Sequence, residues 1–170
     1  SRGLGDVYKR QIMNSHHTVA IGTWEGDKQQ SIEYNSSIAV GIDCPRAKLR
    51  VSILLDTIQE YQVRYIFSDE EISEAVNEAG LIIGARGIAY EGVLQRKPVI
   101  VVGEYGFGGL VTPDTLHEQY NNYFRGKING IKAEYFSLAR LEEEIRRGFA
   151  LTFQELQMMS NQTIRFLHNI

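Results

Sequence analysis

Residues 81 to 102, LIIGARGIAYEGVLQRKPVIVV, place two unbroken apolar runs on either side of a glycine turn and one short helix-length segment. No other stretch constrains the fold as tightly. Leu81-Ile82-Ile83 shows no alternation of polar and apolar residues, so a strand built from it is buried on both faces, as in the middle of a parallel sheet. Val99 to Val102 repeats that composition after about the length of chain that a crossover between parallel strands needs.

The flanking chain has the same rhythm. Ile38 to Ile42 is a compact apolar run ended by Asp43-Cys44-Pro45, where proline suits the first turn of a helix. Leu49, Ile53, Ile58 and Tyr61 then recur close to a helical period, and Val63 to Phe67 returns to strand composition. Ser68 with Glu71 three residues on has the spacing of a capping box, predicting a helix over 69–78 that Gly80 ends. A helix over 87–95 and two terminal helices, over 138–149 and 152–167, complete the pattern. Together these predict an α/β domain over 37–170, with a Rossmann-like, parallel, doubly wound sheet and flanking helices. GEYGFGG after Val102, and the aromatic-rich stretch that follows to Gly126, read as one long ordered loop.

The first eleven residues, SRGLGDVYKRQ, resemble a translated sequencing adapter and are set aside; residues 12–36 hold one β-like run, Thr18 to Gly22, and read as a remnant or linker. QTIRFLHNI stops inside a helical pattern, so the chain reads as a fragment of a longer protein.

Composition excludes several function classes. A formal net charge of −3, with only short basic runs such as Arg146-Arg147, gives no footprint for nucleic acid. No apolar run approaches the roughly 20 residues that cross a bilayer. The single cysteine, Cys44, has no disulfide partner and no base within sequence reach. His16-His17 lack a third ligand at useful spacing and read as loop, so no metal is expected.

The turn Gly84-Ala85-Arg86-Gly87 offers chemistry. A strand that turns directly into a helix presents free N–H groups, here through Ile88, and the positive end of the helix dipole at the sheet's carboxyl edge. Glycines at 84 and 87 would let a phosphate approach the main chain, and Arg86 is a forked cation suited to phosphate oxygens. The alternative is a tight turn with a solvated arginine. In the following helix Ile88, Ala89, Gly92 and Val93 form the packing face, and Glu91 falls roughly 130° from its middle. A carboxylate one turn from a phosphate site can accept two hydrogen bonds from ribose hydroxyls; otherwise Glu91 is an exposed surface residue. Asp114 and His117 sit in the long loop and would be polar loop residues or face a bound sugar. Tyr120, Tyr123 and Phe124 read as packing between loop and sheet.

These residues carry a resemblance. Gly84-Ala85-Arg86-Gly87, Tyr90-Glu91-Gly92-Val93, Arg96-Lys97-Pro98-Val99 and Phe107-Gly108-Gly109-Leu110-Val111-Thr112-Pro113 resemble the C-terminal, donor-binding domain of bacterial GT-B glycosyltransferases of the family 1 and family 4 type, over about residues 37 to 168. The resemblance implies that Gly87 and Ile88 contact the diphosphate of a nucleotide-sugar donor and that Glu91 binds its ribose. It makes Gly41, Arg46, Lys48, Gly108 and Gly109 further candidates for donor contacts. It also implies a parent enzyme of bacterial surface polysaccharide synthesis that needs no metal or other cofactor. That enzyme would be cytoplasmic, with peripheral association at the inner face of the membrane open to it. An N-terminal acceptor domain outside this chain would be its partner, and the chain alone would bind without turnover.

Departures from the family pattern are specific. Retaining members often carry two glutamates separated by seven residues, and the position eight before Glu91 is Ile83. Ile42 stands where an arginine follows the first glycine, and the lysine comes one place late as Lys48. No catalytic side chain is singled out. A nucleotide-sugar 2-epimerase shares the same features, and a non-catalytic α/β module would use the glycine turn for structure only.

Overall fold

The computed structural model describes residues 21–25, 28–32 and 35–169. Two strands, β1 (Ile21–Glu25) and β2 (Lys28–Ile32), pair antiparallel as a separate two-stranded sheet. Ile21 and Gly22 of the expected Thr18 to Gly22 run open β1, whereas residues 18–20, the adapter-like segment and His16-His17 lie outside the described residues.

From Ser37 the chain alternates. Strand β3 (Ser37–Gly41) leads to α1 (Pro45–Ile58), β4 (Gln62–Tyr65), α2 (Ile72–Glu78), β5 (Leu81–Gly84), α3 (Gly87–Leu94), β6 (Val99–Gly103) and β7 (Gly106–Leu110). Helices α4 (Leu116–Asn121), α5 (Leu138–Phe149) and α6 (Phe153–His168) follow. Local chemistry sets several of these boundaries. Pro45 stands at the first turn of α1, where no N–H is needed, and Gln59 closes that helix in a left-handed conformation at φ 56°. The Glu71 carboxylate accepts hydrogen bonds from the N–H groups of Phe67 (3.1 Å) and Ser68 (3.2 Å), and the bond from Phe67 in particular holds it below the usual carboxylate range. The predicted helix over 69–78 begins there as a 3₁₀ turn, Asp69–Glu71, before α2.

The main sheet has five strands in the order β4-β3-β5-β6-β7, a mostly parallel, Rossmann-like arrangement. β4, β3, β5 and β6 are parallel, and β7 runs antiparallel to β6. β7 corrects the expectation of a loop over GEYGFGG and adds an antiparallel edge strand to the parallel sheet. Glycine is a poor strand former, so that stretch does not announce a strand. Here the missing side chains are what let it pair. A Cβ on Gly108 would lie 2.9 Å from Gln119 Oε1 and one on Gly109 3.1 Å from Glu144 Oε1, and Gly106 and Gly109 take φ values of 123° and 79°.

Side chains along β3 and β5 alternate between two cores, as the period of a strand requires. Ile38, Val40 and Ile83 face a core closed by α1 and α5; Ala39 and Ile82 face one closed by α2, α3 and α6. Burying each such aliphatic side chain contributes about 1.5–3 kcal/mol.

A candidate anion-binding crevice at the carboxyl edge of the sheet

The two cores fix where a crevice opens. β3 leaves its carboxyl end into α1 on one face, while its neighbour β5 leaves into α3 on the other. Loops that diverge to opposite faces between adjacent parallel strands create a cleft at that point, the usual ligand position in open α/β sheets.

Gly41 and Gly84 are register partners at this edge. A Cβ on Gly41 would fall 2.8 Å from Ile88 Cδ1, and one on Gly84 2.6 Å from Ile88 Cγ2 and closer still to the Gly41 carbonyl. Both glycines therefore serve the close approach of α3 to the sheet, and Gly84 does not open a path for phosphate as its position in the motif suggests. A Cβ on Gly87 would meet only Ile72 Cδ1, at 3.6 Å.

The turn's amides divide in the same way. Ala85 N–H donates to the Gly41 carbonyl (3.3 Å) and Arg86 N–H to that of Phe124 (3.0 Å), so these two are occupied. The first bond within α3 runs from Tyr90 N–H to the Arg86 carbonyl (2.9 Å), and no side chain caps the helix. That leaves the N–H groups of Gly87, Ile88 and Ala89 without an acceptor in the helix. A cleft of about 530 Å³ opens beside them, lined by Gly41, Asp43, Phe67, Ser68, Arg86, Gly87, Ile88 and Glu91 among others.

Arg86 holds the helix entrance at φ 55°, ψ −124°, a conformation L-residues rarely adopt. Its guanidinium pairs with Glu104 on the β6–β7 turn, and Arg125 lies 3.2 Å from the same carboxylate oxygen. The hydrogen bond between them raises the pKa of Arg86 and holds Glu104 below the usual carboxylate range. Asp43 stands beside Arg86 as well, so two carboxylates face the two arginines at this rim. A smaller pocket of about 260 Å³ on the other side of Arg86 adds Cys44 and Gly103 to the same edge.

Glu91, half-buried, reaches the large cleft, with one oxygen accepting a hydrogen bond from Gln95 Nε2 at 2.6 Å. Phe67 is 78% exposed on the cleft wall, and Lys48 Nζ stands 4.1 Å from its ring centroid. Lys48 is thus at the rim. Arg46 is not: its side chain is 82% exposed and lies 3.8 Å from Glu134. Gly108 and Gly109 also fall elsewhere, on the edge strand β7 in a separate pocket. His117 packs edge-on against Phe166 of α6 at 5.5 Å. Phe124 is fully buried with its ring 4.7 Å from that of Tyr90 in α3, and half-buried Tyr120 lies 4.7 Å from Phe166 of α6, so both pack, here against helix aromatics. Tyr123 instead remains exposed, 5.2 Å from the Arg125 guanidinium.

Phe67, Asp43 and Glu104 are crevice residues that sequence reasoning missed. An aromatic at the end of an apolar run reads as core, and acidic residues in turns read as solvated. Among the described residues no group of three His, Cys, Asp or Glu side chains is placed to hold a metal ion. No described helix is long and apolar enough to cross a membrane.

Comparison with protein-family models, with curated proteins and with solved structures finds no match to this chain.

Proposed function

We propose that this domain binds the nucleoside diphosphate of a sugar donor in the β3–β5 crevice. In this reading it is the donor-binding part of a GT-B glycosyltransferase whose parent enzyme transfers sugar to a glycan or lipid-linked acceptor in bacterial surface polysaccharide synthesis. One observation carries the proposal: Gly87 and Ile88, whose amides no side chain caps, and Glu91 line one cleft at the topological switch point.

Each part of such a ligand has a complement there. A phosphate against Gly87 and Ile88 meets N–H donors and the helix dipole. Arg86, swung from Glu104, adds a charge-assisted hydrogen bond. The uncommitted oxygen of Glu91 accepts from a ribose hydroxyl. Exposed Phe67, with Lys48 over its ring, offers a face on which a nucleobase can stack. In sugar transfer the same groups would stabilise the charge that develops on the departing diphosphate, needing no metal. The acceptor and the catalytic acid or base would come from a further domain.

Calorimetric titration with UDP, GDP, ADP and dTDP tests the reading. One of the four is expected to bind, and Glu91→Ala to weaken it about tenfold or more through loss of a hydrogen bond to a charged group. No binding by any of them to a folded chain would refute the proposal.

A further inference from the structure

Two glycines singled out in the sequence do not serve the crevice. Gly108 and Gly109 form the floor of a separate pocket of about 340 Å³, enclosed by β7, α4, α5 and the segment 126–131. Its polar walls include three cations, Lys127, Arg140 and Arg147.

Both arginines are organised by one buried carboxylate. Glu144, its side chain 2% exposed, accepts from Arg140 Nε at 3.0 Å and from Arg147 Nη1 at 3.1 Å. The carboxylate lies in the niche that Gly109 leaves, where a Cβ would come within 3.1 Å of Oε1. Burying a carboxylate beneath two half-exposed arginines is a poor way to stabilise a helix–strand contact, because apolar side chains fill such a niche without the desolvation cost. What the arrangement achieves is orientation: two guanidiniums are fixed at the pocket wall, and Arg140 also packs 5.5 Å from the Phe107 ring. Their remaining N–H groups donate to no acceptor among the described residues, and Lys127, exposed, forms no ion pair there.

Glu144 is spent on the arginines, so the pocket presents an excess of unused cationic donors. Asn122 and Glu118 on its wall add groups that bind hydroxyls. The volume lies at the lower end of the range of about 300–1,000 Å³ for small-molecule sites, more than a bare phosphate fills.

We propose that this pocket is a second binding site, for a phosphorylated ligand of monosaccharide size. Arg140, Arg147 and Lys127 hold its phosphate, and Glu118 and Asn122 its hydroxyls. The site shares no residue with the crevice and does not depend on the nucleotide reading.

Glucose 1-phosphate, glucose 6-phosphate, N-acetylglucosamine 1-phosphate, glucose and inorganic phosphate are titrated into the full chain by calorimetry. At least one sugar phosphate is expected to bind saturably, with inorganic phosphate weaker by about tenfold or more and glucose silent. Lys127→Ala, at an exposed and unpaired side chain, keeps the fold and weakens the sugar phosphate about tenfold. Arg147→Lys, which leaves Glu144 a cation, weakens it further, whereas Glu91→Ala leaves it unchanged. The proposal is overturned by absence of saturable binding across the three sugar phosphates, or by equal affinity for inorganic phosphate. Indifference to Lys127→Ala and Arg147→Lys, or loss of binding in Glu91→Ala, also overturns it, the last by moving the ligand to the crevice.

Discussion

Arg86 occupies a backbone conformation that suits glycine, yet it carries the longest cationic side chain of the turn. Strain of this kind is kept where the surroundings over-determine it, and the Arg86 N–H bond to the Phe124 carbonyl supplies part of that hold. Arg86→Gly removes the strain and the charge together, whereas Arg86→Ala removes only the charge. Thermal unfolding should therefore place Arg86→Gly roughly 2–4 °C above Arg86→Ala, with both variants weakened in nucleotide binding. Equal melting temperatures would mean that the turn is unstrained. Arg86 and Glu91 are legible in the sequence because each has a fixed place relative to a strand end and a helical stripe. Phe67 is not, since exposure of an aromatic depends on what the rest of the chain leaves uncovered. The motif also names Gly84 for the wrong reason: its missing side chain makes room for Ile88 and the Gly41 carbonyl, a close approach that only the register of β3 against β5 discloses.

At the scale of elements, α2 and the approach to β6 are joined by a buried lysine. Lys97 Nζ donates to the carbonyls of Ala79 (2.7 Å) and Asn77 (3.1 Å) at the end of α2. Burial, and then the neighbouring Arg96, bring its pKa down to about 8. Below pH 8 both folded and unfolded chains hold this proton, and the folded state bears the cost of a desolvated ammonium. Between pH 8 and the unfolded value of 10.5 the folded state gives the proton up first, so stability from this group rises with pH. Chemical denaturation at pH 7 and pH 10 should show wild type gaining on the order of 2–3 kcal/mol relative to Lys97→Met. Parallel profiles for the two proteins would contradict it. In the sequence Lys97 reads only as part of a turn before Pro98. Element types were largely readable, because unbroken apolar runs and near-helical spacing are strong signals. β7 was not, because its glycines have no strand propensity and are needed only where Gln119 and Glu144 pack close to them.

For the molecule as a whole, strand order decides where chemistry can occur. β3 and β5 send their connections to opposite faces, and the crevice opens at that divergence with α3 pointing its uncapped end into it. The alternation of strands and helices implies such a sheet, whereas which strands become neighbours emerges only in the fold. Gly108 and Gly109 show the consequence: close in sequence to Gly103 and Glu104 beside Arg86, they lie on the edge strand in another pocket. Backbone amide shifts, followed by NMR during titration with the tightest of the four nucleoside diphosphates, test the central claim most directly. The largest changes are expected at Gly87, Ile88 and Ala89, with a second group around Glu91. Changes centred on Gly108 and Gly109, or none at the start of α3, would contradict it.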